Sequence, residues 1–329
     1  MSPIKPESVW NLRDEELLNL LQKRAFRALH HEVNFYAPDF THYKSKYFHQ
    51  LPNSFPTISL TGDFCSLNCK HCEAKVLKTM HPAVTPDRLF KLCSDLKQKG
   101  ANGCLISGGC LPNGSVPIDQ FIDVLKKVKC ELGLTIFVHS GLISALSAYK
   151  LKQIGVDAVL IDVIGSRKAA KEICNLDVNL QDYEDSLEAL EKSGLPFVPH
   201  IVVGLNDGRL DGEFDALKTV RKVTPSALVI IAFMPIHGTV MAKTVPPKPL
   251  DIARVVATAR IMFPKTPLLL GCMRPKGKLR SQIDILALQA GADAVAFPTD
   301  EAIEFVMSQN RPFSFSSSCC AELKSKAKG

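Results

Sequence analysis

What the chain lacks narrows its class before any motif is read. No apolar run approaches the ~20 residues that a membrane-spanning helix needs. The opening stretch, Met1-Ser2-Pro3-Ile4-Lys5-Pro6, has no apolar segment of the kind a secretory leader carries, so the expected setting is cytoplasmic, with no membrane contact. No strong basic patch marks a nucleic-acid surface. The net charge of +7 is scattered through helices and concentrates only at Lys324, Lys326 and Lys328. The 11 cysteines are odd in number, which, without a leader, argues against a disulfide framework. Reduced thiols held for metal are the better account of so many.

What is present is a large core and a regular rhythm. Hydrophobic residues make up 46% of 329. Leu17, Leu18, Leu21, Ala25, Phe26 and Leu29 recur at helical spacing and predict a helix from Asp14 to about His31. Residues 35–56 are aromatic and polar and read as an irregular lead-in. From residue 57, short apolar runs alternate with amphipathic stretches about eight times. The strands end near Leu60, Ser107, His139, Asp162, Val203, Phe233, Leu270 and Phe297. Thr85-Pro86-Asp87 opens one helix with an N-cap and a first-turn proline. Gly100, Gly133, Gly155, Gly194 and Gly291 fall where helices should stop. Near-continuous apolar strands belong to parallel sheets covered on both faces. The span 57–298 suits an α/β (β/α)8 TIM-type barrel, with an open barrel of six units as the competing architecture. Residues 1–56 would supply an N-terminal helix and lead-in, and 299–329 a C-terminal helix and cysteine-bearing tail.

The chemistry centres on Cys65-Ser66-Leu67-Asn68-Cys69-Lys70-His71-Cys72, directly after the first strand. Three thiolates on one short loop can face a single inorganic cluster. Four cysteines normally hold such a cluster, so three leave one iron open, and an open position is where a metal centre binds its ligand. The alternative is a zinc loop, which needs a fourth ligand. His71, lying between two of the cysteines, looks awkwardly placed to supply it.

C-x3-C-x2-C after a first strand resembles the radical S-adenosylmethionine (SAM) enzymes. The resemblance implies a 4Fe–4S cluster on Cys65, Cys69 and Cys72 whose open iron binds SAM, which is then cleaved to methionine and a 5′-deoxyadenosyl radical. Ser107-Gly108-Gly109-Cys110 resembles that family's glycine pair, which receives the amino end of SAM. His71 would flank SAM, and His139 lies at a strand end facing it. Asp162 would meet ribose hydroxyls, and Val202 would pack on adenine. For each lone residue a core or loop role is the competing reading. Phe233-Met234-Pro235-Ile236-His237-Gly238-Thr239 and Gly271-Cys272-Met273-Arg274-Pro275 look like biotin synthase, a likeness covering about residues 14 to 300.

The chain departs from that pattern at Cys110, Cys272, Cys319 and Cys320. If the tail folds back over the barrel mouth, these four would hold a second iron–sulfur cluster, the sulfur donor, with Arg274 beside it or beside a substrate carboxylate. The competing reading is simple burial, as expected of Cys93, Cys104, Cys130 and Cys174. The combination most resembles a subunit of the two-component lipoyl synthases, in which two related radical SAM proteins insert two sulfurs into an octanoyl chain. The resemblance implies as partners an octanoylated lipoyl domain or glycine-cleavage H protein, a second radical SAM subunit, and an electron donor such as ferredoxin. Biotin synthase proper, a methyltransferase or maturase of that type, and a non-catalytic metal-binding scaffold are the alternatives.

Overall fold

The computed structural model describes residues 4–23, 32–39, 41, 43–319 and 321–322. Eleven strands form one all-parallel sheet. They are β1 (Val33–Tyr36), β2 (Thr57–Ser59), β3 (His81–Pro82), β4 (Gly103–Ser107), β5 (Thr135–His139), β6 (Ala158–Asp162), β7 (Phe197–Val203), β8 (Leu228–Ala232), β9 (Leu268–Leu270), β10 (Ala294–Ala296) and β11 (Phe313–Ser316). Their order is β11-β1-β10-β9-β8-β7-β6-β5-β4-β2-β3. The eight expected strands are β2 and β4 to β10, which lie side by side in chain order. The TIM-type α/β reading therefore holds, in a curled sheet whose ends carry extra strands.

β1 and β11 were not legible. Val33–Tyr36 lies half in the stretch read as irregular, yet it pairs with both β10 and β11. Between the sheet's two ends, side chains replace the strand ladder. Ser54 Oγ donates to Ser317 O at 2.9 Å, and Leu51 N donates to Ser317 Oγ at 3.1 Å.

Alternation along the strands separates two cores. The outer one, between sheet and helices, takes Ile58, Ile106, Ile136, Val159, Ile161, Ile201 and Ile230. The inner one fills the lumen with Phe137, Leu160, Val198, Val229, Leu269 and Ala296, with Leu105 and Ile231 against them. Each fully buried side chain of this size is worth roughly 1.5–3 kcal/mol.

The helices end as their sequences predict. Thr85 Oγ1 accepts from Arg88 N at 3.3 Å at the head of helix Pro86–Gln98. Gly194 closes Leu180–Ser193 in the left-handed region at φ 69°. The expected helix at 117–132 is composite: a 3-10 turn, a short α-helix Ile122–Lys127 and a π turn to Leu132. The first long helix spans Asp14–Gln22, and Ala25, Phe26, Leu29 and His31 lie outside the described residues. Buried Arg254 ties this end down, donating to Trp10 O at 2.9 Å and to Asp14 Oδ1 at 2.9 Å. Among the described residues no helix is long and apolar enough to cross a membrane.

Candidate functional site

The cysteine loop leaves β2 at the C-terminal end of the sheet, where parallel barrels carry their chemistry. β4 ends beside it, and the two are joined atom by atom. Thr61 Oγ1 accepts from Gly109 N at 2.7 Å. Ser66 N donates to Cys110 O at 2.8 Å, and Cys110 N donates to the Cys65 sulfur at 3.3 Å. The loop lies so close that a Cβ on Gly109 would stand 2.0 Å from Phe64 O and 2.6 Å from Cys65 Cα. In this structure the glycine pair lets the cysteine loop pack on β4.

A segment that sequence reasoning passed over braces the other side. Asn175 Nδ2 donates to Leu67 O at 2.7 Å, and Lys70 N donates to Ile173 O at 2.8 Å. The Cys69 sulfur faces Cys174 O at 3.4 Å. No motif marks this segment; only its place after β6 brings it here. Cys93, Cys104 and Cys174 are buried as expected, whereas Cys130 is exposed, because the π turn carries it to the outer helical surface.

The thiols divide by environment. Hydrogen bonding from the Cys110 thiol first, then from the Asn68, Leu67 and Cys110 N–H groups, outweighs burial and brings Cys65 down to about 5. Such a nest of donors stabilises a thiolate. Cys69 is pushed up, chiefly by its bond with Cys174, and Cys72 chiefly by its bond with Cys69. His71 is closer to these sulfurs than its sequence position suggests. Its ring nitrogen, Cys69 and Cys72 offer donor atoms within 4.8 Å of one another, and His71 Nδ1 is buried without a hydrogen-bond partner. Three sulfurs on one loop, one of them already favouring its anion, fit an iron–sulfur cluster.

Deeper in the mouth, β5, β6 and β7 bring together His139, Asp162 and His200. His139 Nε2 lies 3.5 Å from Asp162 Oδ1. The two imidazole rings meet edge-on at 5.6 Å. Burial opposes charge on Asp162, but the nearby His139, with His200 and His71 beyond, holds the carboxyl at about 2. Burial pushes His200 down to about 4. Burial also works against His139, but Asp162 outweighs it and raises its pKa. Asp162 keeps 40% of its side-chain surface, so it faces an accessible lumen. Ser107 Oγ donates to His139 O at 3.2 Å, and Val202 shares the face of His200 by alternation.

Residues 59–216 match the radical SAM superfamily. They form a radical SAM domain. Membership implies a 4Fe–4S cluster and SAM as its ligand. The chain is 25% identical over 306 residues to biotin synthase of Prochlorococcus marinus strain SARG, covering 89% of this chain and 86% of that one. It is 24% identical over 249 residues to biotin synthase of Zymomonas mobilis, covering 73% and 72%. Among solved structures it is similar to the FeFe-hydrogenase maturase HydG of Carboxydothermus hydrogenoformans, with 14% identity, TM-score 0.64 and coverage of 94% and 75%. Methylornithine synthase is similar with 16% identity, TM-score 0.60 and coverage of 93% and 92%. At those identities the structures speak for the fold alone.

One expectation for the radical SAM domain's surroundings needs correction. Arg274 is fully buried. Its Nε donates to Asp284 Oδ1 at 2.8 Å and its Nη1 to Gly271 O at 2.5 Å. A guanidinium so committed braces the turn after β9 and has no face left for a cluster or substrate carboxylate. Of the four cysteines expected to share a second cluster, three lie among the described residues. Cys110 sits with Cys65, while Cys272 and Cys319 both pack on the inner core. Cys320 lies outside the described residues.

Proposed function

We propose that this radical SAM enzyme is a sulfurtransferase that converts an unactivated C–H bond of an aliphatic chain into a C–S bond. The observation that supports it best is the placement of Cys272 and Cys319 on the lumen core of a chain similar to biotin synthases over most of its length. When bound, the cluster and SAM supply a one-electron route to hydrogen abstraction, which no side chain offers for a methylene group.

The chain's own residues do the rest. Cys65, Cys69 and Cys72 would hold the cluster, with Gly108 and Ser107 at the amino end of SAM, His71 flanking it and Val202 against its adenine. Leu105, Phe137, Leu160, Val198, Val229 and Leu269 make an apolar wall that suits an alkyl chain and excludes water. This wall carries no ligating side chain. A second iron–sulfur group, as sulfur source, would therefore rest on Cys272 and Cys319, with Cys320 next to the latter in sequence.

The substrate we favour is an octanoyl chain borne on a lipoyl domain or H protein, with a second radical SAM subunit and a ferredoxin-type donor. A free dethiobiotin-type substrate is the second reading, favoured by the similarity to biotin synthases. Anaerobic reconstitution with iron and sulfide, followed by SAM and a reductant, tests both. Expected are 5′-deoxyadenosine and sulfur added to an octanoylated lipoyl-domain peptide, read by mass spectrometry. Sulfur in dethiobiotin instead selects the second reading. Zinc in place of iron, with no SAM cleavage, returns the chain to a metal-binding scaffold.

A further inference from the structure

The donor atoms of His139, Asp162 and His200 all lie within 4.8 Å of one another, with His71 of the thiol loop and Cys272 in electrostatic range. β6 and β7 hold Asp162 directly opposite His200 in register, and β5 sets His139 beside them. The 3.5 Å between His139 Nε2 and Asp162 Oδ1 exceeds the ~2.7–3.2 Å of a well-formed N–H···O bond. It matches a tetrahedron's edge, about 3.3–3.6 Å when ligands stand ~2.0–2.2 Å from a central cation. Asp162 Oδ1 is buried and makes no hydrogen bond, although it is the charged oxygen of the set.

The imidazole of His200 is prepared in the same sense. Its Nδ1 lies 3.1 Å from Val198 O. A carbonyl only accepts, so Nδ1 carries the hydrogen and Nε2 keeps its lone pair. That backbone contact is how proteins orient a ligating histidine.

We propose that His139, Asp162 and His200 form a mononuclear site for a divalent first-row cation, zinc being the ion whose four-coordinate ligand spacing the His139–Asp162 distance matches. Two nitrogens and one oxygen leave a fourth position facing the lumen, where water or an anionic group would bind. This assignment stands apart from the sulfur-insertion reading. It gives His139 and Asp162 a role other than direct contact with the SAM ribose.

The test uses the full-length chain, anaerobically reconstituted so that the cysteine loop is filled, then dialysed against zinc. The expected result is one zinc per chain, with a zinc-edge absorption spectrum showing nitrogen and oxygen neighbours at ~2.0–2.1 Å. D162N and, separately, H200Q should each weaken zinc binding at least about ten-fold while iron content and the far-UV spectrum stay unchanged. A sulfur shell at ~2.3 Å overturns the site. So does zinc content that is the same in both variants, or a D162N variant that loses SAM binding but keeps its zinc. Failure to insert sulfur into any substrate leaves all of these readings intact, so the two proposals fail separately.

Discussion

The backbone N–H of Cys110 points at the Cys65 sulfur from 3.3 Å, and the carbonyl of the same residue accepts from Ser66 at 2.8 Å. The residue after the glycine pair therefore holds both the backbone of Ser66 and the sulfur of Cys65. The contact is available only because Gly109 presents no side chain between them.

Gly109→Ala is expected to push the loop away, since its Cβ would overlap Phe64 O and Cys65 Cα. Overpacking of this kind costs about 1–3 kcal/mol. Iron bound after anaerobic reconstitution should fall with it. Full iron loading and unchanged stability in this variant would show that the loop has room the geometry denies.

Asp284→Asn leaves the fully buried Arg274 without its counter-charge. Breaking one half of a buried pair costs about 3–5 kcal/mol, so the denaturant midpoint should drop markedly. In the same samples SAM binding per folded molecule should be retained, because the pair braces a turn. A selective loss of binding at unchanged stability would restore Arg274 to the active site.

Glu213 is buried and accepts from Gly204 N at 2.8 Å and Asp211 N at 2.6 Å. Burial, opposed by these bonds, raises its pKa. A folded-state pKa above the unfolded one gives stability that is present below the unfolded value and lost as pH rises through the folded value. The stability of the parent chain minus that of Glu213→Gln should therefore decline from acid toward neutral pH. A difference that stays flat or grows with pH would remove the assignment.

Glu73 accepts from Val240 N at 2.6 Å and pairs with Lys75, whose Nζ donates to Gly238 O at 2.6 Å. These contacts pin the loop after β8 to the cysteine loop. Glu73→Ala should speed amide hydrogen exchange at Val240 by about ten-fold while leaving global unfolding nearly unchanged. Unaltered exchange there would mean that other contacts hold the loop.

Cys272→Ala and Cys319→Ala should each leave 5′-deoxyadenosine formation intact and stop sulfur incorporation. If both variants still transfer sulfur, the second iron–sulfur group has other ligands or is absent.

Much of the molecule was legible from local pattern. The C-x3-C-x2-C loop, the SGG turn, the helix caps at Thr85 and Gly194 and the eight βα repeats depend on neighbours within a few residues or on simple periodicity. The flanking strands Val33–Tyr36 and Phe313–Ser316 were not legible, because pairing partners nearly 300 residues apart leave no mark on either segment alone.

The same division runs through the site. The chain's order of residues by itself determined that three thiols would share one loop at a strand's end, because their spacing is covalent. Only the tertiary structure decided that Cys110 turns to Cys65, that Arg274 is consumed by Asp284, and that His139, Asp162 and His200 converge. Those relations depend on strand register and on which face each side chain takes, and both are settled by the packing of the whole sheet.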